Sequence, residues 1–465
     1  MSRLSTHDSE DVGSDEEIRP RGPRMLKPIV ALVGRPNVGK STLFNRLVGR
    51  RLAITEDEPG TTRDRMYADA DWNGREFTLV DTGGLDNQSV GDIEVRVQQQ
   101  ARAAIQEADL IVFLVDAASG LVTADWAVAD ILRRTKKPVL LAANKAENQS
   151  RQLLASEFYE LAIGEPIVIS ANHGMGTGDL LDAVVHSLPD APLISDVADD
   201  TIQVAIIGRP NVGKSSLLNA VLGQDRVIVS DIPGTTRDSI DTLVDREGHK
   251  FLFIDTAGIR RRGRIEPGVE KHSVMRSLRA VNRSDVTLLV VDAVAGLTEG
   301  DLHIAGFVQD DAKGLIVVVN KWDLIEKDTK TADAFSKIIR QRLDFMDYAP
   351  VLYISAVTRQ RVHRIFDEVL SIQAEREKRV PTAQLNNFVE QVQQRHVPTS
   401  RGKALRIYYA TQAGVRPPTF VFFVNDPRLV HFSYVRHLEN ELRRSFSFRG
   451  TPVRITIRGK PGRET

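Results

Sequence analysis

The chain has 465 residues, 42% hydrophobic and 27% charged, with 62 Lys+Arg balanced by 62 Asp+Glu. That length exceeds one ordinary core and implies two to four domains, and the composition is that of soluble globular proteins. The absence of cysteine excludes disulfides and thiolate metal sites. No apolar run approaches the roughly 18 residues of a membrane span, and the N-terminus lacks a signal-peptide core, so a soluble, cytoplasmic protein with no membrane partner is expected.

Residues 1–26 carry Ser9-Glu10-Asp11, Asp15-Glu16-Glu17 and two prolines, the composition of a disordered acidic tail. From 27 to 191 apolar runs at 28–33, 77–80, 110–115, 139–142 and 167–169 alternate with helical patterns at 41–48, 94–106 and 124–134. Such alternation predicts an α/β domain with a mostly parallel sheet flanked by helices, its ligand beyond the carboxyl ends of the strands. Between the first strand and helix lies Gly34-Arg35-Pro36-Asn37-Val38-Gly39-Lys40-Ser41, which fits the phosphate loop G-x-x-x-x-G-K-[ST]. Its glycines let backbone N–H groups turn inward at a helix N-terminus, the arrangement that binds phosphate. Lys40 is placed to reach the β- and γ-phosphates, and the Ser41 hydroxyl to ligate Mg²⁺.

After an acidic linker at 192–200 the pattern restarts. Gly208-Arg209-Pro210-Asn211-Val212-Gly213-Lys214-Ser215 repeats the loop residue for residue, again between an apolar strand (203–207) and a helix (215–222). The offset is 174 from Lys40 to Lys214 and from Asp81 to Asp255, and 176 from Asn144 to Asn320. A near-constant offset over more than a hundred residues marks a duplicated domain at 201–375. Two identical loops in strand–loop–helix context make a ligand-free glycine turn a poor explanation.

A third region, 376–465, reads helix–strand–strand–helix–strand, with helices at 382–394 and 428–446 and strands at 405–411, 419–424 and 453–458. This predicts a small α+β domain with a three-stranded sheet. From Pro381 to Thr465 there are 14 Lys+Arg against 5 Asp+Glu, leaving 48 against 57 elsewhere. That asymmetry points to an anionic partner. Arg406, Arg416, Arg436, Arg443, Arg444, Arg449, Arg454 and Arg458 could share one folded face, or dock onto the acidic remainder.

Three elements follow each loop. Pro59-Gly60-Thr61-Thr62-Arg63-Asp64 recurs as Pro233-Gly234-Thr235-Thr236-Arg237-Asp238, and the Thr62 and Thr236 hydroxyls suit a Mg²⁺ shell completed only with γ-phosphate present. Asp81-Thr82-Gly83-Gly84 recurs as Asp255-Thr256-Ala257-Gly258; its aspartate would hold Mg²⁺ through water and its last glycine N–H would meet the γ-phosphate. Asn144-Lys145-Ala146-Glu147 and Asn320-Lys321-Trp322-Asp323 each close an apolar strand, where a carboxylate accepts two hydrogen bonds from guanine that adenine cannot offer. Ser170-Ala171 and Ser355-Ala356, at the last strand of each domain, could support the base. Lys40, Thr62, Gly84, Lys214, Thr236 and Gly258 are the residues expected to act on the γ-phosphate.

With these residues in view, the chain resembles the Era-like branch of the P-loop GTPases, and within it the bacterial double-GTPase family Der, also called EngA. The resemblance runs from about residue 27 to the C-terminus. It implies GTP hydrolysis with GTP/GDP and Mg²⁺, a role in large-subunit ribosome biogenesis through the particle or its rRNA, and a KH-like C-terminal domain; a monomer is expected. Two departures stand out: Glu147 occupies the usual place of the guanine-specifying aspartate, and the KH-like region offers Arg401-Gly402-Lys403-Ala404 rather than a G-x-x-G clamp. Leu85 and Ile259 stand where many GTPases carry the glutamine that orients water, so catalysis must rest on electrostatic stabilisation. In the related branch the loop asparagine helps bind K⁺, a position matched by Asn37 and Asn211; loop capping is the plainer role. Arg260-Arg261-Arg262-Gly263-Arg264, without counterpart in the first copy, is a solvated run or a partner contact, and His272 and His363 have no metal-ligand spacing. The alternatives left open are a P-loop ATPase or kinase, a non-enzymatic RNA-binding scaffold, and a GTPase of tRNA modification.

Overall fold

The computed structural model describes residues 24–25, 27–52, 67–83, 98, 101–102, 104–189, 193–194, 200–224, 227–233, 240–256, 259, 273–326, 330–395, 399–400 and 403–459. The first domain is built on a six-stranded sheet in the order Tyr67–Trp72, Arg75–Asp81, Ile29–Val33, Leu110–Asp116, Val139–Asn144, Ile167–Val168. All neighbours are parallel except the edge pair Tyr67–Trp72 with Arg75–Asp81. Ile29–Val33 and Leu110–Asp116 are buried on both faces, which is why each reads as an unbroken apolar run. The edge strand reads Tyr-Ala-Asp-Ala-Asp-Trp and escaped the sequence reading because it alternates rather than runs apolar.

The second domain repeats the plan with seven strands, ordered Val227–Pro233, Ile240–Arg246, His249–Ile254, Thr201–Ile207, Val286–Asp292, Gly314–Asn320, Val351–Tyr353. The extra antiparallel strand Val227–Pro233 pairs along its whole length with Ile240–Arg246. Both sheets are therefore parallel at the centre with an antiparallel margin. The helices Lys40–Leu52 and Lys214–Leu222 each begin at the loop lysine.

The C-terminal region forms a three-stranded sheet, Ile407–Gly414, Thr419–Val424 and Arg454–Gly459, with the first pair antiparallel and the second parallel. The helices Thr382–Arg395 and Phe432–Phe446 supply Leu385, Phe388, Leu438 and Leu442 to one core with Phe420 and Phe422. This core docks on the second domain through backbone bonds from Leu315 N to the Gly450 oxygen (2.9 Å) and from Gly450 N to the Tyr348 oxygen (3.0 Å). Arg376, 1% exposed, donates to the Ala312 carbonyl across the same seam (2.9 Å).

The two α/β domains also touch. Tyr67 meets Phe307 edge-on at 5.2 Å within a cluster of buried residues drawn from both domains. Arg279 pairs with Asp109, Arg276 with Glu107 (3.0 Å), and Lys27 approaches Asp311 (3.8 Å). Among the described residues no helix is long and apolar enough to cross a membrane.

Candidate functional site

Each phosphate loop leaves its strand and turns through residues with positive φ: Gly34, Asn37 and Gly39 (φ 156, 65 and 97) in the first, Gly208, Asn211 and Gly213 (139, 63 and 95) in the second. The left-handed region tolerates asparagine better than other non-glycine residues, so Asn37 and Asn211 have a backbone reason for their identity that involves no ion. Val38 and Val212 plug the loops into the cores, while Pro36 and Asn37 are exposed. The Lys40 ammonium donates to the carbonyls of Gly34 (2.7 Å) and Arg35 (2.9 Å), and Lys214 donates likewise to Gly208 (2.6 Å) and Arg209. Each lysine thus lies folded across the mouth of its own loop. Gly83 sits against it: a Cβ there would come within 2.9 Å of Lys40 Cε.

In both domains the loop is tied to the base motif by the asparagine. Asn144 Nδ2 donates to the Val38 carbonyl (2.7 Å) while its Oδ1 accepts from Ala171 N–H (2.9 Å). Asn320 does the same between Val212 (2.8 Å) and Ala356 (3.0 Å). Gly39 must be glycine on two counts, its φ of 97° and a Cβ that would fall 2.3 Å from Asn144 Nδ2. Ser170 and Ser355 are fully buried beside these struts. Ala146 and Trp322 are also buried, Trp322 between Phe335 and Tyr353. Asp323 lies exposed on the short 3-10 turn Trp322–Leu324. Glu147 is instead drawn sideways, 3.2 Å from Arg151 Nη1 and 3.7 Å from His173 Nδ1.

Four aspartates, Asp116, Asp292, Asp125 and Asp301, escaped the sequence reading. Lys145 and Lys321, both left-handed, donate to Asp116 (2.8 Å) and Asp292 (2.6 Å) at neighbouring strand ends. Burial pushes both aspartates up, but the ammonium and the backbone N–H of Ala118 or Val294 outweigh it, holding each below the usual carboxylate range. Arg209 contacts buried Asp301 (3.0 Å), which also caps its helix through Thr298 N–H (3.0 Å). Arg35 faces the matching Asp125 at 3.6 Å, but Val122 replaces the capping threonine and neither Asp125 oxygen has a well-formed hydrogen bond. Burial lifts Asp125 to about 6 against the pull of Arg35. The 176-residue offset that links Asn144 to Asn320 also links Asp116 to Asp292 and Asp125 to Asp301, the signal that could have found them.

The two domains differ where Mg²⁺ was expected. In the first, Ser41 Oγ donates to Asp81 Oδ2 at 2.6 Å, two hard oxygen donors converging beside Lys40, which fits magnesium. Asp81 Oδ1 also accepts from Gly83 N–H (2.8 Å), and Thr82 is a buried brace on the Leu32 carbonyl (2.6 Å). In the second, Ser215 Oγ donates to the Ile259 carbonyl (2.7 Å) instead. Asp255, at φ 54, is turned to Arg276 (Nε to Oδ2, 3.4 Å), and its N–H goes to Asp241. Its pKa is lifted to about 6, by burial first, with Arg276 opposing and Glu107 adding to the rise. Thr256 is a buried brace on Thr242 (2.8 Å). Thr62, Thr236, Gly84, Leu85, Ala257, Gly258, the run 260–264 and the pair Arg401-Gly402 lie outside the described residues.

The arginines of the C-terminal domain do not share one face. Arg395, Arg416, Arg428, Arg443, Arg444 and Arg449 each pair with a carboxylate, Arg449 with Glu368 of the second domain. Among the described residues Arg406, Arg436, Arg454 and Arg458 have no such partner; Arg406 lies over Tyr408 and Arg454 reaches the Asp310 carbonyl. Two of these four, Arg454 and Arg458, share the sheet face turned from the core with Tyr409, Thr411, Val421, Phe423 and Thr456. Register aligns Tyr409, Phe423 and Arg458 in one row, and Tyr409, 39% exposed, stacks on Phe423 at 4.4 Å. Among the described residues no strand position on that face is acidic.

Residues 29–145 and 203–321 match the family described as "50S ribosome-binding GTPase", and residues 379–458 the family "KH-domain-like of EngA bacterial GTPase enzymes, C-terminal". The chain is 56% identical over 439 residues to a protein of Heliobacterium modesticaldum named GTPase Der, covering 93% of this chain and 98% of that one. It is 56% identical to a GTPase Der of Symbiobacterium thermophilum (93% and 92% covered) and 54% identical to one of Chloroflexus aggregans (95% and 100%). With two phosphate-loop domains of matching geometry and the KH-like region behind them, the chain belongs to the GTPase Der family.

Proposed function

We propose that this GTPase is a nucleotide switch in large-subunit ribosome biogenesis, acting as a monomer in the cytoplasm on the particle or its rRNA. The observation that carries the reading is the pairing of two GTPase sites with a basic, aromatic sheet face that holds no acidic side chain among the described residues. Exposed aromatic rings stack single-stranded bases and nearby guanidinium groups meet the phosphates. The row Tyr409–Phe423–Arg458 offers both on one surface, a substitute for the missing G-x-x-G clamp.

At each site Lys40 or Lys214 would exchange the loop carbonyls for the β- and γ-phosphates, held by the inward N–H groups of 34–41 or 208–215. Ser41 with Asp81, and Ser215 with Asp255 once turned back, would hold Mg²⁺, completed by Thr62 or Thr236. When bound, that ion neutralises charge developing on the phosphates. Asn37 and Asn211 are the proposed K⁺ ligands, and the N–H groups of Gly84 and Gly258 the proposed γ-phosphate contacts. Glu147 and Asp323 would accept from guanine, with Lys145 and Lys321, clamped by Asp116 and Asp292, walling the base.

The test is co-sedimentation with purified large subunits in the presence of GDP or a non-hydrolysable GTP analogue. Binding should be stronger with the analogue and fall steeply with salt. Tyr409→Ala with Arg458→Glu should weaken it on the order of tenfold while leaving GTP binding intact. Binding indifferent to nucleotide and to both substitutions would overturn the reading.

A further inference from the structure

One guanidinium serves two carboxylates from different domains. Arg276, on the helix Ser273–Arg283 of the second domain, places Nη2 3.0 Å from Glu107 Oε1 of the first domain and Nε 3.4 Å from Asp255 Oδ2 of its own. Glu107 is 5% exposed, and its Oε1 has the ionic contact but no well-aligned hydrogen bond. Among the described residues Arg276 is the one basic side chain paired with it. Arg279, one turn on, pairs with Asp109, so this helix face is where the first domain rests. The first domain supplies an internal comparison: there Asp81 meets Ser41, with no arginine paired to it among the described residues, whereas Asp255 lies against Arg276 and Ser215 donates elsewhere.

We propose that Arg276 and Glu107 are positioning residues that couple the second GTP site to docking of the first domain. This rests on the reading of Asp255 as a Mg²⁺-shell residue. The sign follows from the charges. Asp255 and Glu107 repel each other and share one cation. When Asp255 swings to the magnesium side beside Ser215, Arg276 passes wholly to Glu107, and the repulsion across the interface falls. Magnesium nucleotide in the second site therefore tightens docking of the first domain, and by linkage docking eases assembly of the second site. In an undocked chain Arg276 falls wholly to Asp255 and restrains it.

The chain has no cysteines, so Glu160→Cys and Gln341→Cys, at exposed positions of the first and second domains, allow a spin-label or dye pair to report docking without removing native thiols. The docked fraction of the full chain is measured with GDP alone, then with Mg²⁺ and a non-hydrolysable GTP analogue. The docked-to-undocked ratio should rise on the order of fivefold with magnesium nucleotide. Glu107→Gln, which keeps the shape and an acceptor oxygen but removes the charge, should still dock yet lose most of that response. Arg276→Met should dock less and respond not at all, and Arg276→Lys should restore part of both. A response undiminished in Glu107→Gln and in Arg276→Met would overturn the proposal, reducing the contact to an interface ion pair. Magnesium-dependent nucleotide affinity is read in parallel in the Lys40→Ala background. If magnesium leaves second-site affinity unchanged, the assignment of Asp255 fails; if affinity responds while docking does not, only the coupling fails.

Discussion

Replacing Asn144 by alanine tests whether the phosphate loop is held by the base motif. Asn144 is 2% exposed and bridges the Val38 carbonyl and the Ala171 N–H at 2.7 and 2.9 Å. Alanine removes both bonds and leaves two interior backbone groups unpaired, each costing about 1–3 kcal/mol. A total near 3 kcal/mol is a large share of the roughly 5–15 kcal/mol that stabilises a domain. In urea unfolding it should move the first domain's midpoint by about 1–2 M. The loop also loses its anchor, so GDP affinity at the first site, isolated by Lys214→Ala, should drop at least about tenfold, equivalent to about 1.4 kcal/mol. Asn320→Ala, read in the Lys40→Ala background, should reproduce the loss at the second site. A stability change below about 0.5 kcal/mol with unaltered GDP affinity would refute the strut.

Asp125 should leave a signature in the pH dependence of stability. Its pKa of about 6 in the fold lies above the unfolded value of 3.8, so its contribution is fully present below pH 4 and is lost as pH rises through about 6. Relative to Asp125→Asn, wild-type stability should fall by about 2.4 kcal/mol between pH 4 and 7.5; a constant difference would refute this. Glu147 is drawn toward Arg151 and His173. In the Lys214→Ala background Glu147→Asp should tighten GDP binding and sharpen rejection of ATP by about tenfold, and unchanged selectivity would make the longer side chain neutral.

The phosphate loops, the central strands and the duplication were legible because buried parallel strands are continuous apolar runs and the loop chemistry tolerates few substitutes. The antiparallel margins were not. Ile240–Arg246 carries Asp241, Thr242 and Asp245 among its apolar positions, and Asp241 and Thr242 are buried against Arg283 and Thr256 rather than against apolar neighbours. Also hidden were pairings set by topology rather than by local sequence. Lys145 with Asp116 joins two strand ends 29 positions apart, and Glu107 with Arg276 joins two domains. The charge count foresaw a basic C-terminal domain but not its distribution. Six of its arginines are neutralised locally or at the seam: helix spacing and docking bring Glu439, Glu441 and Glu368 beside four of them, while Arg416 meets Glu377 and Arg428 meets Asp426.

Two corresponding but unequal sites are proposed to hydrolyse GTP through loop, metal and monovalent cation, without a side-chain base. The most direct measurement is phosphate release from GTP by Lys214→Ala and by Lys40→Ala, each in K⁺ and in Na⁺ at equal ionic strength, with ATP as competitor. The account predicts that each variant keeps one working site, that turnover falls strongly in Na⁺ while GDP affinity holds, and that ATP competes poorly at the Asp323 site. Equal turnover in the two salts, or a single-site variant inert despite binding GTP, would contradict it.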